Sequence, residues 1–247
     1  MMQGNELIIA KKAAILAAQN LLQNRKSSSQ VISSTEKDIK LQADISTEKI
    51  IKEFIRNESD IPILAEESVS FSKNLDDIFW VIDPLDGTAN YARDIPICCV
   101  SIALMVQKKP FLGVIYDFNN DDMYEGSSKT KAFLNGREIS VSKVNKKSEG
   151  ILMTGLPNNT DYSDIAMMEM IKNFQNWRKV RMIGSAAIAS AFVASGKADL
   201  YMENKTYLWD IAAGAAIVNA AGGEALILNQ NEKFQVDVRF SNSLIKT

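Results

Sequence analysis

Histidine is absent from this 247-residue sequence. Any mechanism that needs an imidazole nucleophile, base or metal ligand is excluded with it. Cysteine is nearly absent as well: Cys98 and Cys99 are the only two, adjacent inside an apolar run. Neighbouring cysteines rarely close a mutual disulfide, because the geometry is strained, so they read as two buried thiols in a strand. No run reaches about 18 apolar residues, so no membrane span is expected. The start of the chain lacks a basic segment followed by an apolar block and a cleavage site, so no secretory signal is evident. A formal net charge of -2 offers no general attraction to nucleic acid. A cytoplasmic location is the default expectation.

What is present is core-forming material. The chain is 46% hydrophobic, long enough for one large domain or two tightly joined lobes. Residues 5–24 keep helical spacing through Leu7, Ile8, Ala14, Ile15, Ala18, Leu21 and Leu22. The polar, serine-rich residues 25–34 read as a mobile loop. A second helix is expected over 39–57, with Asp38, Asp44 and Glu48 near its first half. Short strands are expected over 62–65 and 77–82. From Ile97 the pattern changes to apolar runs over 98–106, 111–118 and 123–125, separated by Lys108-Lys109-Pro110 and by Asn119-Asn120-Asp121-Asp122. These read as successive antiparallel strands, and Asn135-Gly136 reads as a hairpin turn within 132–141. The second half alternates: strands over 150–154, 178–183, 199–202 and 224–228, helices over 162–174, 185–195 and 210–221, and one more strand in the tail. Strand-rich and alternating halves suggest layers of helices and sheets.

The chain is organised around Trp80-Val81-Ile82-Asp83-Pro84-Leu85-Asp86-Gly87-Thr88-Ala89-Asn90. An apolar strand runs into two aspartates three residues apart. Pro84 has no N–H and a fixed φ, so it is expected to end the regular pairing and set a turn. Gly87 and Thr88 follow, where a helix can begin. Two carboxylates beside free N–H groups suit the joint binding of a divalent cation and a phosphate, and without the cation the aspartates would repel the anion. An N-cap aspartate and a turn aspartate are the ordinary structural alternatives. A second acidic pair, Glu66-Glu67, also follows a short apolar strand. Asp210 follows Trp209 at the start of an alanine-rich helix, where a carboxylate is favoured in any case.

Asp83-Pro84-Leu85-Asp86-Gly87-Thr88 resembles the signature of the inositol monophosphatase family of metal-dependent phosphatases. Ala65-Glu66-Glu67-Ser68 upstream and Leu208-Trp209-Asp210-Ile211-Ala212-Ala213-Gly214 downstream fit the same family in the expected order. The resemblance implies an α+β fold, a layered αβαβα sandwich, as a single domain over 1–247 with lobes of approximately 1–145 and 146–247. It also implies a Mg²⁺-dependent phosphatase with two or three ions. Glu66, Asp83 and the carbonyl of Leu85 would hold one ion; Asp83, Asp86 and Asp210 a second; Glu67 would lie near a weak third. Thr88 and Glu66 would hold and polarise the attacking water, with Asp44 nearby, and the N–H groups of Gly87 and Thr88 would bind phosphate. Ser185 and Ala186, in a segment resembling one that lies against the substrate ring, and Glu203, at the position of an acid that accepts hydrogen bonds from sugar hydroxyls, would read the substrate with Asp210.

The implied reaction is direct attack of water on inositol monophosphate or a similar small polyol phosphate, sensitive to lithium, by a homodimer. A 3′(2′),5′-bisphosphate nucleotidase, which the 38–44 segment also resembles, or a sugar or histidinol phosphate phosphatase is the alternative. A lysine often found in the family upstream of the second helix falls at Ser33 by a gap-free count, with Lys37 and Lys40 close by. Two rival phosphatase patterns fail. The Asp-x-Asp-x-Thr of haloacid-dehalogenase-like enzymes would need an aspartate at Pro84. The Cys-x₅-Arg of cysteine phosphatases would need an arginine at Leu104 or Met105.

Overall fold

Two β-sheets, of seven and five strands, are separated by a pair of almost wholly apolar helices. The computed structural model describes residues 5–25, 31–34, 39–68, 75, 77–157 and 160–245. Lys37 and Asp38 lie outside the described residues, as do the side chains of Ser33 and Lys40.

The chain opens with helix α1 (Glu6–Gln23). Strands β1 (Val31–Ser34) and β2 (Ile39–Leu41) then pair antiparallel. Both readings of this region need correction. Residues 31–34 form a strand rather than loop, and helix α2 spans Gln42–Glu58 instead of starting at 39. The cause is local: the Asp44 carboxylate, in the third helical position, accepts the Leu41 N–H at 2.7 Å. That fixes the helix start and leaves 39–41 extended.

The seven-stranded sheet runs in chain order. Its strands are β3 (Ile63–Ala65), β4 (Ile78–Asp86), β5 (Cys99–Val106), β6 (Lys109–Asp117), β7 (Asp122–Ser127), β8 (Ala132–Leu134) and β9 (Arg137–Ile139). All neighbours pair antiparallel except β3 and β4. Both faces of β4 are covered, so it reads as a continuous apolar run. Trp80 and Ile82 face α1 and α2, whereas Phe79 and Val81 face the helices between the sheets. One expected turn differs in position. The β5–β6 connection is Gln107-Lys108, both at positive φ, with Pro110 inside β6 opposite Met105. Asn135 and Gly136, also at positive φ, make the β8–β9 hairpin as expected.

The five-stranded sheet has the order β11-β10-β12-β14-β13. It consists of β10 (Ile151–Thr154), β11 (Lys179–Met182), β12 (Leu200–Tyr207), β13 (Glu224–Leu228) and β14 (Gln235–Ser241). Helix α4 (Asp164–Phe174), capped by Ser163, connects the parallel strands β10 and β11 and makes the outer layer. Helices α5 (Ala186–Ala194) and α6 (Leu208–Ala220) fill the space between the sheets. The order of layers is therefore α1/α2, sheet, α5/α6, sheet, α4: an α+β sandwich. The middle layer depends on small residues. A Cβ on Gly113 of β6 would lie 2.2 Å from the carbonyl oxygen of Ala213, so α6 sits with its backbone directly on the strand.

Candidate active site

The end of β4 does not turn at Pro84. The strand continues to Asp86, and the register shifts between Asp83, opposite Ser101, and Asp86, opposite Cys99. Three steps on β4 face two on β5, which is a β-bulge, a setting that tolerates proline. The bulge re-aims the two aspartates. Asp83 accepts the Leu85 N–H at 2.9 Å through Oδ1. Asp86 reaches the start of α5: it accepts the Ser185 hydroxyl, the Ala187 N–H at 2.8 Å and the Ala186 N–H at 3.3 Å, and also the Cys99 thiol of β5 at 3.7 Å. Neither aspartate caps the short helix α3 (Thr88–Ala92), whose N-cap is Gly87. Gly87 has φ +89, and a Cβ there would meet the Ile97 carbonyl at 2.7 Å, so glycine is required on both counts. Both cysteines are buried and unpaired, and only Cys99 lies within a strand.

The other predicted residues come from six elements. Glu66 and Glu67 lie in a single 3₁₀ turn, Glu66–Ser68, directly after β3. Asp44 projects from α2, and Thr88 Oγ1 lies 3.4 Å from its Oδ1 and 3.0 Å from the Leu85 carbonyl oxygen. A hydroxyl has one proton and two lone pairs, so Thr88 can donate to one of these oxygens and still accept from a third group. Ser185 is the N-cap of α5, its oxygen accepting the Ile188 N–H at 3.2 Å. Both it and Ala186 are engaged with Asp86. Asp210 is the third residue of α6, which starts at Leu208 rather than at Asp210. Its Oδ2 accepts both the Thr206 hydroxyl at 2.7 Å and the Tyr207 N–H at 2.9 Å, leaving Oδ1 for another partner. Trp209 is buried and stacks on Tyr207, centroids 4.6 Å apart at 6°. Glu203 lies inside β12, not after it; it is half-buried and accepts the Tyr201 hydroxyl at 3.2 Å.

These carboxylates feel one another. Glu66 is pushed well above the usual carboxylate range, first by burial and then by Asp210, Glu67 and Asp44. Asp83 is raised likewise by burial, Glu66, Asp86 and Asp210. Burial raises Asp86 against the opposing hydrogen bonds from Ser185, Ala187, Ala186 and Cys99. Asp210 rises to about 7, through burial and then Asp86. Glu203 rises to about 8, through burial and then Asp210. A group of buried and half-buried carboxylates that repel one another is the environment a divalent cation relieves. The donor set is oxygen throughout, which suits Mg²⁺. Among the described residues no three acidic side chains close on one point as a finished cation cage.

Three contributors were not assigned a role from the sequence. Asn90 Nδ2 lies 2.8 Å from the Ile97 carbonyl, 2.8 Å from that of Ile183 and 3.3 Å from that of Gly184, holding the segment before Ser185 against the segment after Asp86. Glu48 accepts the Glu67 N–H at 2.7 Å. Thr206 orients Asp210. Asn90 stood in the central stretch and Glu48 four residues after Asp44, so spacing held a signal for Glu48; Thr206 had none. A cavity of about 170 Å³ lies between α4, the end of β10 and the middle of β12. Glu203 and Gly155 line it, but Asp83, Asp86 and Asp210 do not.

The sequence profile of the inositol monophosphatase family matches residues 4–245. An inositol-1-monophosphatase of Synechocystis is 37% identical over 195 residues, which is 75% of this chain and 66% of that protein. The Nus factor SuhB of Xylella fastidiosa is 36% identical over 226 residues, covering 90% and 82% of the two chains. Among solved structures, the inositol monophosphatase from Anabaena superposes with a TM-score of 0.80 at 31% identity, covering 96% of this chain and 90% of that one. The extragenic suppressor protein suhB from Bartonella henselae gives 0.84 at 29% identity, covering 95% and 93%. The chain belongs to the inositol monophosphatase family and is an enzyme of the phosphoric monoester hydrolase class.

Proposed function

We propose that this family member is a Mg²⁺-dependent, cytoplasmic phosphomonoesterase acting on inositol monophosphate or a similar small polyol phosphate. The observation that carries this reading is the electrostatic coupling of Glu66, Asp83, Asp86 and Asp210, delivered from the turn after β3, the end of β4 and the first turn of α6. Glu66, Asp83 and the Leu85 carbonyl would hold one ion; Asp83, Asp86 and Asp210 a second; Glu67 would serve a third. The Leu85 carbonyl can accept from Thr88 and face a cation at once, because it has two lone pairs. When bound, the ions neutralise phosphate charge and make water more acidic.

The chain's own residues do the rest. Thr88, its proton directed at Leu85 or Asp44, would accept a hydrogen bond from the incoming water and fix its approach. Glu66 would take up that water's proton. The N–H groups of Gly87 and Thr88 would hold phosphate oxygens, while Ser185 and Ala186 would hold Asp86 toward the site. Glu203, steadied by Tyr201, would accept hydrogen bonds from polyol hydroxyls.

The test is phosphate release with Mg²⁺ from inositol 1-phosphate, fructose 1,6-bisphosphate, adenosine 3′,5′-bisphosphate and histidinol phosphate, each with and without lithium. Inositol 1-phosphate should lead, lithium should inhibit, and Glu203→Ala should weaken polyol substrates more than an aryl phosphate. Preference for the adenosine compound would replace the polyol reading with the nucleotidase one; release from none would overturn both.

A homodimer is proposed through the outer face of α4. None of its residues is buried, and Ile165, Met168 and Ile171 are 76%, 55% and 51% exposed. A monomeric mass in solution at micromolar concentration would refute it. Among the described residues no helix is long and apolar enough to cross a membrane.

A further inference from the structure

Helix α2 bears on the site at two points. Asp44 and Glu48 are four residues apart, so they share one face of the helix, and both are buried there. Asp44 meets Thr88, on the side where water would be held. Glu48 meets the other arm: its Oε2 accepts the backbone N–H of Glu67 at 2.7 Å. Its Oε1 lies 3.5 Å from Lys52 Nζ, one helical turn further on. A buried carboxylate is tolerated only when hydrogen-bonded and paired, and Glu48 has both partners. The segment it holds is a 3₁₀ turn of three residues. Such turns have poor internal hydrogen-bond geometry, so an outside anchor decides where their side chains point.

We infer that Glu48 is a positioning residue for the cation site. Its hydrogen bond to the Glu67 N–H fixes the turn that presents Glu66 and Glu67, and Lys52 holds the Glu48 carboxylate in the orientation for that bond. One rigid helix thereby sets two distances together: that of Thr88 through Asp44 and that of the glutamate pair through Glu48. The inference rests on the reading that the glutamates serve a divalent cation.

The experiment is calorimetric titration of the full chain with Mg²⁺ alone, without substrate, with melting in EDTA as the check on folding. Glu48→Ala should remain folded and bind Mg²⁺ ~10–100-fold more weakly, the usual cost of losing a group that orients a ligand. Glu48→Gln keeps an acceptor oxygen for the Glu67 N–H and should bind close to wild type. Asp83→Asn, which removes a proposed ligand, is the control for lost binding. Wild-type binding matched by Glu48→Ala would overturn the positioning role and leave the cation reading standing. No Mg²⁺ binding by the wild type would overturn both. If Glu48→Ala does not fold, Glu48→Gln decides: near-wild-type binding supports the hydrogen bond, and a loss of ~10-fold or more overturns it.

Discussion

Asp83 is the residue on which the proposed chemistry turns. It is buried at the bulge of β4, raised by Glu66, Asp86 and Asp210, and assigned to both cations. Asparagine has nearly the same shape but no charge, and its amide nitrogen is not a ligand. Loss of a group that merely orients a ligand costs ~10–100-fold in metal affinity or activity, so loss of a bridging ligand should lower Mg²⁺-dependent turnover by at least ~100-fold. Asp83→Asn should nonetheless melt no lower than wild type in EDTA, because it removes one charge from a self-repelling group. Wild-type activity in this variant would remove Asp83 from the site.

Helix α6 shows how an element can be fixed by what its residues lack. It is buried on nearly every side and lies directly on β6, where Gly113 leaves no gap to Ala213. A methyl group at 113 would meet the backbone of Ala213, and backbone cannot move aside as a flexible side chain would. Gly113→Ala should therefore destabilise by roughly 1–3 kcal/mol or more, and Asp210, the third residue of α6, should be displaced with it. A melting temperature within a degree of wild type would show that the helix can shift at no cost. This contact was not legible in the sequence, which shows an alanine-rich helix and a glycine in a strand without saying that they touch. Periodicity did reveal α1, the antiparallel run from β5 to β9 and the alternation of the second half, because those signals are local. It missed β1 and β2, which are only four and three residues long. It placed a turn at Pro84 because proline breaks regular ladders, whereas the bulge opposite Cys99 absorbs it. Acid-after-strand patterns marked Glu66, Asp83 and Asp86 as candidates. The reach of Asp86 to α5, some hundred residues on, is a product of tertiary packing alone.

At the scale of the whole molecule, the two sheets and the helices between them bring acids together that the chain keeps far apart, and this makes stability depend on pH in a definite direction. Asp210 rises from 3.8 to about 7 and Glu203 from 4.5 to about 8. Groups held more strongly protonated in the folded state than in the unfolded one favour folding at low pH. Their contribution is complete below about pH 4 and is lost as pH rises through about 7 and about 8. Acid denaturation from groups elsewhere sets the lower edge, so the window to examine is pH 6 to 8.5. In EDTA the melting temperature should fall across that window. Release of even ~1 kcal/mol corresponds to ~2–4 °C for a chain of this size. A divalent cation binds the deprotonated carboxylates, so the rise in melting temperature on adding Mg²⁺ should grow over the same interval. Melting curves at four pH values, with Mg²⁺ and with EDTA, measure both trends. An increment independent of pH would mean that the ion is not taken up by the carboxylates to which Asp210 belongs. An increment that vanishes in Asp83→Asn but keeps its pH trend in the wild type would tie the effect to this cluster.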